Sequence, residues 1–241
     1  MKHIFFATSA YISSCLNRIA APCRYLLVAV TILFLTSEGV LAGIRISPAR
    51  IETTVTPENH TFPLTIENSG SNPLRVEVSA VQLTQKLDGS PLFDESKEGY
   101  EYGDRLVKFS LTDFIMMPNT KQTVIADVQI PAYSSRGAYA AVFFTASSVM
   151  GEVQHVSSVI RVTTIMLLKF GEQSQPQGEL TNVELIQSEP GQPIRILSTF
   201  LNQGDVHIAP RGTVMISDAA GQEHSRVPIQ SANTLPGYSR Q

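Results

Sequence analysis

The chain has 241 residues, a formal net charge of −3, no Trp, and hydrophobic residues at 43% of its length. There is no basic run or stripe of the kind a nucleic-acid partner requires, so that partner class is set aside. Its two cysteines, Cys15 and Cys23, precede an early apolar run, so a chain processed after that run would have no disulfide, thiol nucleophile or Cys-ligated metal.

In chain order, the first feature is Tyr25-Leu-Leu-Val-Ala-Val-Thr-Ile-Leu-Phe-Leu35, an apolar run of 11 residues behind Arg18 and Arg24. A secretory core needs roughly 7–15 apolar residues and a membrane span about 20. With Val40 and Ala42 at the −3 and −1 places of a small-residue cleavage box, residues 1–42 read as a signal peptide and the protein as exported. A membrane attachment would arise only through this segment left uncleaved.

From Ile44 onward there is no sustained helical period. Short alternating runs bounded by turn residues read as strands instead. Arg50–Thr56 is the first. Phe62, Leu64 and Ile66 alternate up to the turn Asn68-Ser-Gly-Ser-Asn-Pro73, and Leu74, Val76, Val78 and Ala80 alternate after it. Residues Thr84 to Asp104 read as a long acidic surface loop with a small hairpin at Asp88-Gly89; no regular calcium loop is spelled there. Leu106–Leu111 and Phe114–Met117 are short strands, and Val124, Ala126, Val128 and Ile130 alternate up to Pro131. Gly137–Thr145 is apolar on both faces, the pattern of a central, covered strand. Ser157–Phe170 closes the series. About seven strands over about 125 residues predict an all-β, immunoglobulin-like β-sandwich at 43–172.

The polar stretch 173–178 reads as a linker whose composition does not impose rigidity. A second β module follows at 179–241, with Val183 and Leu185, then Ile194, Ile196 and Phe200, then Gly212–Ser217, His224–Ile229 and Leu235–Arg240. Four or five strands fall short of the about seven of a full sandwich. The expectation is a truncated immunoglobulin-like module or one completed by a partner.

Catalytic motifs are missing. His60, His155, His207 and His224 form no H-x-H or H-E-x-x-H pair, and there is no Walker loop or G-x-S-x-G elbow. Asp205 and His207 read as a loop-filling pair, with His207 bonded inside the second module. The sequon Asn59-His-Thr61 matters only in a eukaryotic host. The reading is a non-enzyme with no cofactor and no metal.

Ile46-Ser-Pro-Ala-Arg-Ile51 with Leu64-Thr-Ile-Glu-Asn-Ser-Gly70 is similar to the N-terminal module of periplasmic pilus-assembly (PapD-like) chaperones. Met117-Pro-Asn-Thr-Lys-Gln-Thr-Val124, closing at Ile130-Pro131, and Gly137-Ala-Tyr139 through Phe144 also resemble that family. The same order resembles the first domain of WxL-interacting cell-surface proteins. Phe200-Leu-Asn-Gln-Gly204 with His207, Pro210 and Gly212 resembles a motif of two-domain proteins of this kind.

The PapD-like resemblance implies a chaperone that binds a partner protein by β-strand addition, in pilus or surface-fibre assembly. It implies an Arg in the first strand and a Lys in the last that hold a client's terminal carboxylate. Arg50 stands at the Arg position. Leu167 stands at the Lys position, with Lys169 two residues on and on the same side of the strand. The donor strand would be Val159 to Leu168, giving a partner-binding set of Arg50, Val159, Arg161, Thr163, Ile165, Leu167 and Lys169. The alternative is a structural surface adaptor binding cell wall or another surface protein.

Overall fold

The computed structural model describes residues 43–130, 136–149, 159–171, 176–186, 192–193, 195–229 and 232–241. The expected signal peptide with both cysteines, Pro131, His155, Ile194 and half of the expected linker lie outside these residues.

Two sheets pack face to face. One has the order β1-β3-β8-β6, from β1 (Ile44–Ser47), β3 (Thr61–Asn68), β8 (Thr120–Val128) and β6 (Val107–Phe109). The other has the order β2-β10-β9-β4-β5, from β2 (Arg50–Val55), β10 (Val159–Phe170), β9 (Gly137–Ser148), β4 (Leu74–Gln85) and β5 (Pro91–Asp94). β7 (Asp113–Met116) also pairs with β4. The chain changes sheet at Pro48-Ala49, after a cis Ser47–Pro48 peptide: β1 pairs antiparallel with β3, and β2 pairs parallel with β10.

The period-2 alternation places the core. Leu64, Ile66, Val76, Val78, Ala80, Val124, Ala126, Val128, Val142 and Phe144 are buried between the sheets. Each large member contributes about 1.5–3 kcal/mol on burial. β9 is covered on its other face as well. There Ala141 and Phe143 lie under Phe93 and Tyr100, and Tyr139 packs with Leu83, Leu167 and Leu235.

That outer cover corrects the reading of residues 84–104 as a surface loop. β4 runs on to Gln85, a hairpin turns at Asp88-Gly89 into β5, and α1 (Lys97–Leu106) follows. Ser96 caps α1, its hydroxyl accepting from the Gly99 amide at 3.2 Å; Glu98 lies in the first turn and Arg105 in the last, as the helix dipole favours. Gly99 and Gly103, one turn apart, let the helix lie on the strands. A Cβ at Gly103 would stand 2.1 Å from the Ala80 carbonyl oxygen. Leu106, expected in a strand, ends α1 instead.

The second module contains a sheet of β11 (Gly178–Ile186), β12 (Arg195–Asn202) and β15 (Ser239–Arg240), and a hairpin of β13 (Gly212–Ser217) and β14 (Glu223–Ile229). Both modules use the same corner. Asn68 ends β3, donates to the carbonyls of Asn72 and Met117, and accepts from the Gly70 amide. Asn202 ends β12, donates to the carbonyls of Val206 and Thr234, and accepts from the Gly204 amide. An Asn-x-Gly corner with a buried, fully bonded amide is thus built twice.

Candidate partner-binding edge and cleft

β10 is paired unequally along its two edges. One edge pairs with β9 from Val159 to Lys169. The other pairs with β2 only from Ile165 to Phe170, where Ile165 stands opposite Arg50. Among the described residues, the edge of Val159–Thr164 on the β2 side has no strand partner. The Ile165 amide donates to Ala49 on this side at 3.0 Å. Main-chain groups alternate in direction along a strand, so those of Val159, Arg161 and Thr163 point to the same open side.

Side chains alternate too. Thr164, Met166 and Leu168 are buried in the core, and Ile160 and Val162 are half-buried. Of the expected partner-binding residues, Val159 is 61% exposed. Arg161 lies 4.6 Å over the Phe143 ring and donates to Glu95 at 2.8 Å. Thr163 and Ile165 are half-buried, and Leu167 is 4% exposed, packed against Tyr139 and Leu235.

The odd-numbered face of β10 continues into a cleft against the second module. In register with Ile165, Leu167 and Lys169 stand Arg50, Glu52 and Thr54 of β2. Arg50, half exposed, donates to Glu52 Oε2 at 2.7 Å. The other carboxylate oxygen, Oε1, is 3.0 Å from His207 Nε2. The Tyr139 hydroxyl accepts from the His207 amide at 2.7 Å and lies 3.3 Å from its Nδ1. One hydroxyl proton and one imidazole proton satisfy this chain when His207 is neutral, with Nε2–H donating to Glu52 and Nδ1 accepting from Tyr139.

The charges agree with that assignment. Burial pushes the His207 imidazole below its ordinary value against the pull of Glu52, with Lys169 and Arg50 adding to the depression. Burial acts to raise the Glu52 carboxyl, but hydrogen bonds from Arg50 and His207 outweigh it and hold the group low. Burial raises the Tyr139 phenol.

His207 therefore bonds across to the first sandwich, not within its own module, and Asp205 is not its partner. Asp205 pairs with Arg136 at 3.5 Å, and its carbonyl accepts from the Gly137 amide at 2.7 Å. Gln85 adds a second bridge between the modules, donating to the Asn233 carbonyl and accepting from the Leu235 amide. Linker composition alone imposes no rigidity, and these contacts across the joint lie outside it.

Arg50 also lines a cavity of about 190 Å³ with Gln85, Ile165, Leu167, Leu235 and Arg240. Lys169 is not among its lining residues; it stands opposite Thr54 and Gly137. Arg240 was not anticipated. No local motif marks it, and only the fold brings it beside Arg50. His60 and His224 bond instead to Asp127 and Asp218. Among the described residues, no cluster of His, Cys, Asp and Glu is placed to hold a metal, and no helix is long and apolar enough to cross a membrane.

No family model and no curated protein sequence matches the chain. Solved structures do. The class 5 fimbriae chaperone CfaA is similar over 82% of this chain and 84% of its own, with a TM-score of 0.54 and 10% identity. A structure of a chaperone–tip adhesin complex of CFA/I fimbriae biogenesis is similar over 82% of this chain and 87% of its own, with a TM-score of 0.52 and 9% identity. The fold is that of the PapD-like fimbrial chaperones. The described strands form a two-sheet sandwich and a smaller second module, and Arg50 lies with Ile165 and Leu167 of β10 and Leu235 of the second module around one cavity.

Proposed function

We propose that the protein is an exported, chaperone-like binding protein of the bacterial envelope, in the periplasm or at the cell surface. It would take up a partner protein by β-strand addition in pilus or surface-fibre assembly, a binding role and not a catalytic one. The observation that supports this best is the half-open strand β10. A strand added along Val159–Thr164 would lie end to end with β2 and gain about 20 Å of main-chain pairing at about 3.3 Å per residue. If it runs parallel to β10, as β2 does, its C-terminal end arrives at Arg50, where a guanidinium suits a terminal carboxylate. The PapD-like fold and a neighbour solved with a tip adhesin favour the same reading.

The test is capture of the partner from the native envelope by the tagged protein, repeated with Thr163→Pro and Arg50→Ala. Proline at 163 removes an amide aimed at the open side and leaves the β9 edge facing a chain without a proton of its own to lose there. Both variants should fold, by circular dichroism, and lose a partner that the unaltered protein retains. A partner bound equally by Thr163→Pro overturns strand addition, and one bound equally by Arg50→Ala removes the carboxylate anchor.

A further inference from the structure

The second module is open where the first is closed. Its sheet and its hairpin border a cavity of about 290 Å³, lined by Leu180, Ser198 and Phe200 from the sheet and by Gly212 and Ile229 from the hairpin. Cross-strand partners share a face. Val183 stands opposite Ser198, Leu185 opposite Ile196 and Val214 opposite Val227, so these side chains extend the same two surfaces. The register shift between Leu180 and Asn182 keeps Leu180 on the face of Val183 and Leu185. A closed sandwich buries such a face, yet here Leu180 is 59%, Val183 62%, Leu185 65% and Val227 52% exposed.

The same sheet has an open edge. β15 pairs only with Phe200 and Leu201, and the Gln241 side chain reaches the Thr199 hydroxyl at 3.3 Å. From Thr199 back to Arg195, about 16 Å at about 3.3 Å per residue, β12 has no strand partner on that side among the described residues. The Asn202 amide donates to the Tyr238 carbonyl on this side at 3.0 Å. Main-chain groups alternate in direction along a strand, so those of Ser198 and Ile196 point to the same open side. An apolar face beside a row of main-chain groups suits an added strand, which supplies hydrogen bonds and alternate side chains together. An aliphatic ligand would use the apolar face alone. Charge narrows the choice further. Arg195 is exposed, lies on the opposite face of β12 from Ile196 and Ser198, and makes no ion pair among the described residues. A residue directly opposite it on an added strand stands about 4.5–5.5 Å away between Cβ atoms, within reach of a carboxylate.

We infer that the second module is itself a strand acceptor. An extended segment of a partner protein pairs with the Arg195–Thr199 edge of β12, antiparallel as β15 is. It sets alternate apolar residues against Val183, Leu185 and Ile196, and a glutamate or aspartate between them opposite Arg195. The protein then has two edges for strand addition, β10 in the first module and β12 in the second, and the second does not depend on the first.

The probe is a short fluorescein-labelled peptide with valine or leucine at alternate positions and threonine and glutamate between them. Binding to the full chain is measured by fluorescence anisotropy. Val183→Asp, at a position already in water, should leave the circular dichroism spectrum unchanged and weaken binding by about tenfold or more, because it sets a charge against the apolar residues of the strand. Arg195→Glu should weaken binding severalfold and restore it for a peptide with lysine in place of glutamate. In the antiparallel register the apolar residues of the peptide turn their amides to Ile196 and Ser198, so N-methylation there should abolish binding and N-methylation at the polar residues should not. A peptide that tolerates N-methylation at its apolar residues overturns pairing with β12, and one that does not bind at all overturns the site. Binding lost in Thr163→Pro but kept in Val183→Asp assigns the peptide to β10 and overturns the second site. A protein that sediments as a dimer, and as a monomer in Val183→Asp, puts a second copy on this face and overturns the partner strand.

Discussion

Replacing Tyr139 by phenylalanine tests the seam between the modules at one atom. The hydroxyl accepts the His207 amide at 2.7 Å and lies 3.3 Å from Nδ1. Tyr139 is 8% exposed and His207 3%, so water cannot replace the lost partner. The ring survives in phenylalanine, so its packing on Leu83, Leu167 and Leu235 is kept. What remains is a buried amide without an acceptor, at a cost of about 1–3 kcal/mol. Taking about 2 kcal/mol, and about 2–4 °C per kcal/mol for a chain of this size, the melting midpoint should fall by about 4–8 °C. Urea titration followed by far-ultraviolet circular dichroism measures the free energy directly. A change within about 0.5 kcal/mol, the range of an ordinary surface substitution, would refute the reasoning and show that the hydroxyl does not hold the seam.

Acid should loosen the same seam in two steps. The folded-state value of His207 lies below its ordinary 6.5, so the unfolded chain takes up a proton first and stability falls as pH drops below about 6.5. Glu52 is held below 4.5, so its contribution is present above that pH and lost as pH falls further. His207→Gln should abolish the first step in a urea series across pH 7.5 to 5.5; a slope unchanged by the substitution would reject His207 as its source. Gly103→Ala should destabilise by about 1–3 kcal/mol, because the new methyl meets the Ala80 carbonyl and the helix must lift from β4. Denaturant titration checks this, and a neutral result would mean that α1 is not seated so closely.

The sandwich was legible wherever one face is wet and one dry. Phe62, Leu64 and Ile66, Leu74 through Ala80, and Val124 through Ile130 alternate in sequence; Leu64, Ile66, Val76, Val78, Ala80, Val124, Ala126 and Val128 are buried in the core, Phe62 and Leu74 are half-buried, and Ile130 is exposed at the strand's end. The two-sided apolar pattern of Gly137–Thr145 likewise marks β9 as the central covered strand. What escaped was structure whose signal is not local. α1 is short, polar on average and carries two glycines, so propensity argues against a helix; the Ser96 cap and the one-sided spacing of Gly99, Gly103 and Leu106 mark it. The partners of His207 sit in the other module, and the nearby Asp205 is drawn away by Arg136 and Gly137. Arg240 gains its place beside Arg50 only through the Asp88-Gly89 hairpin and the strand order of the second module.

The seam and the cavity beside it are made of different materials. Gln85, Tyr139, neutral His207 and Leu235 join the modules largely through groups without net charge. Exposed Arg50 and half-buried Arg240 line the cavity as cations. Dissolved salt screens the second kind over about 8 Å at physiological ionic strength and barely touches the first. Raising ionic strength should therefore weaken an anion's hold in the cavity while the modules stay docked, so a salt titration can separate what the cleft grips from what keeps the cleft in shape.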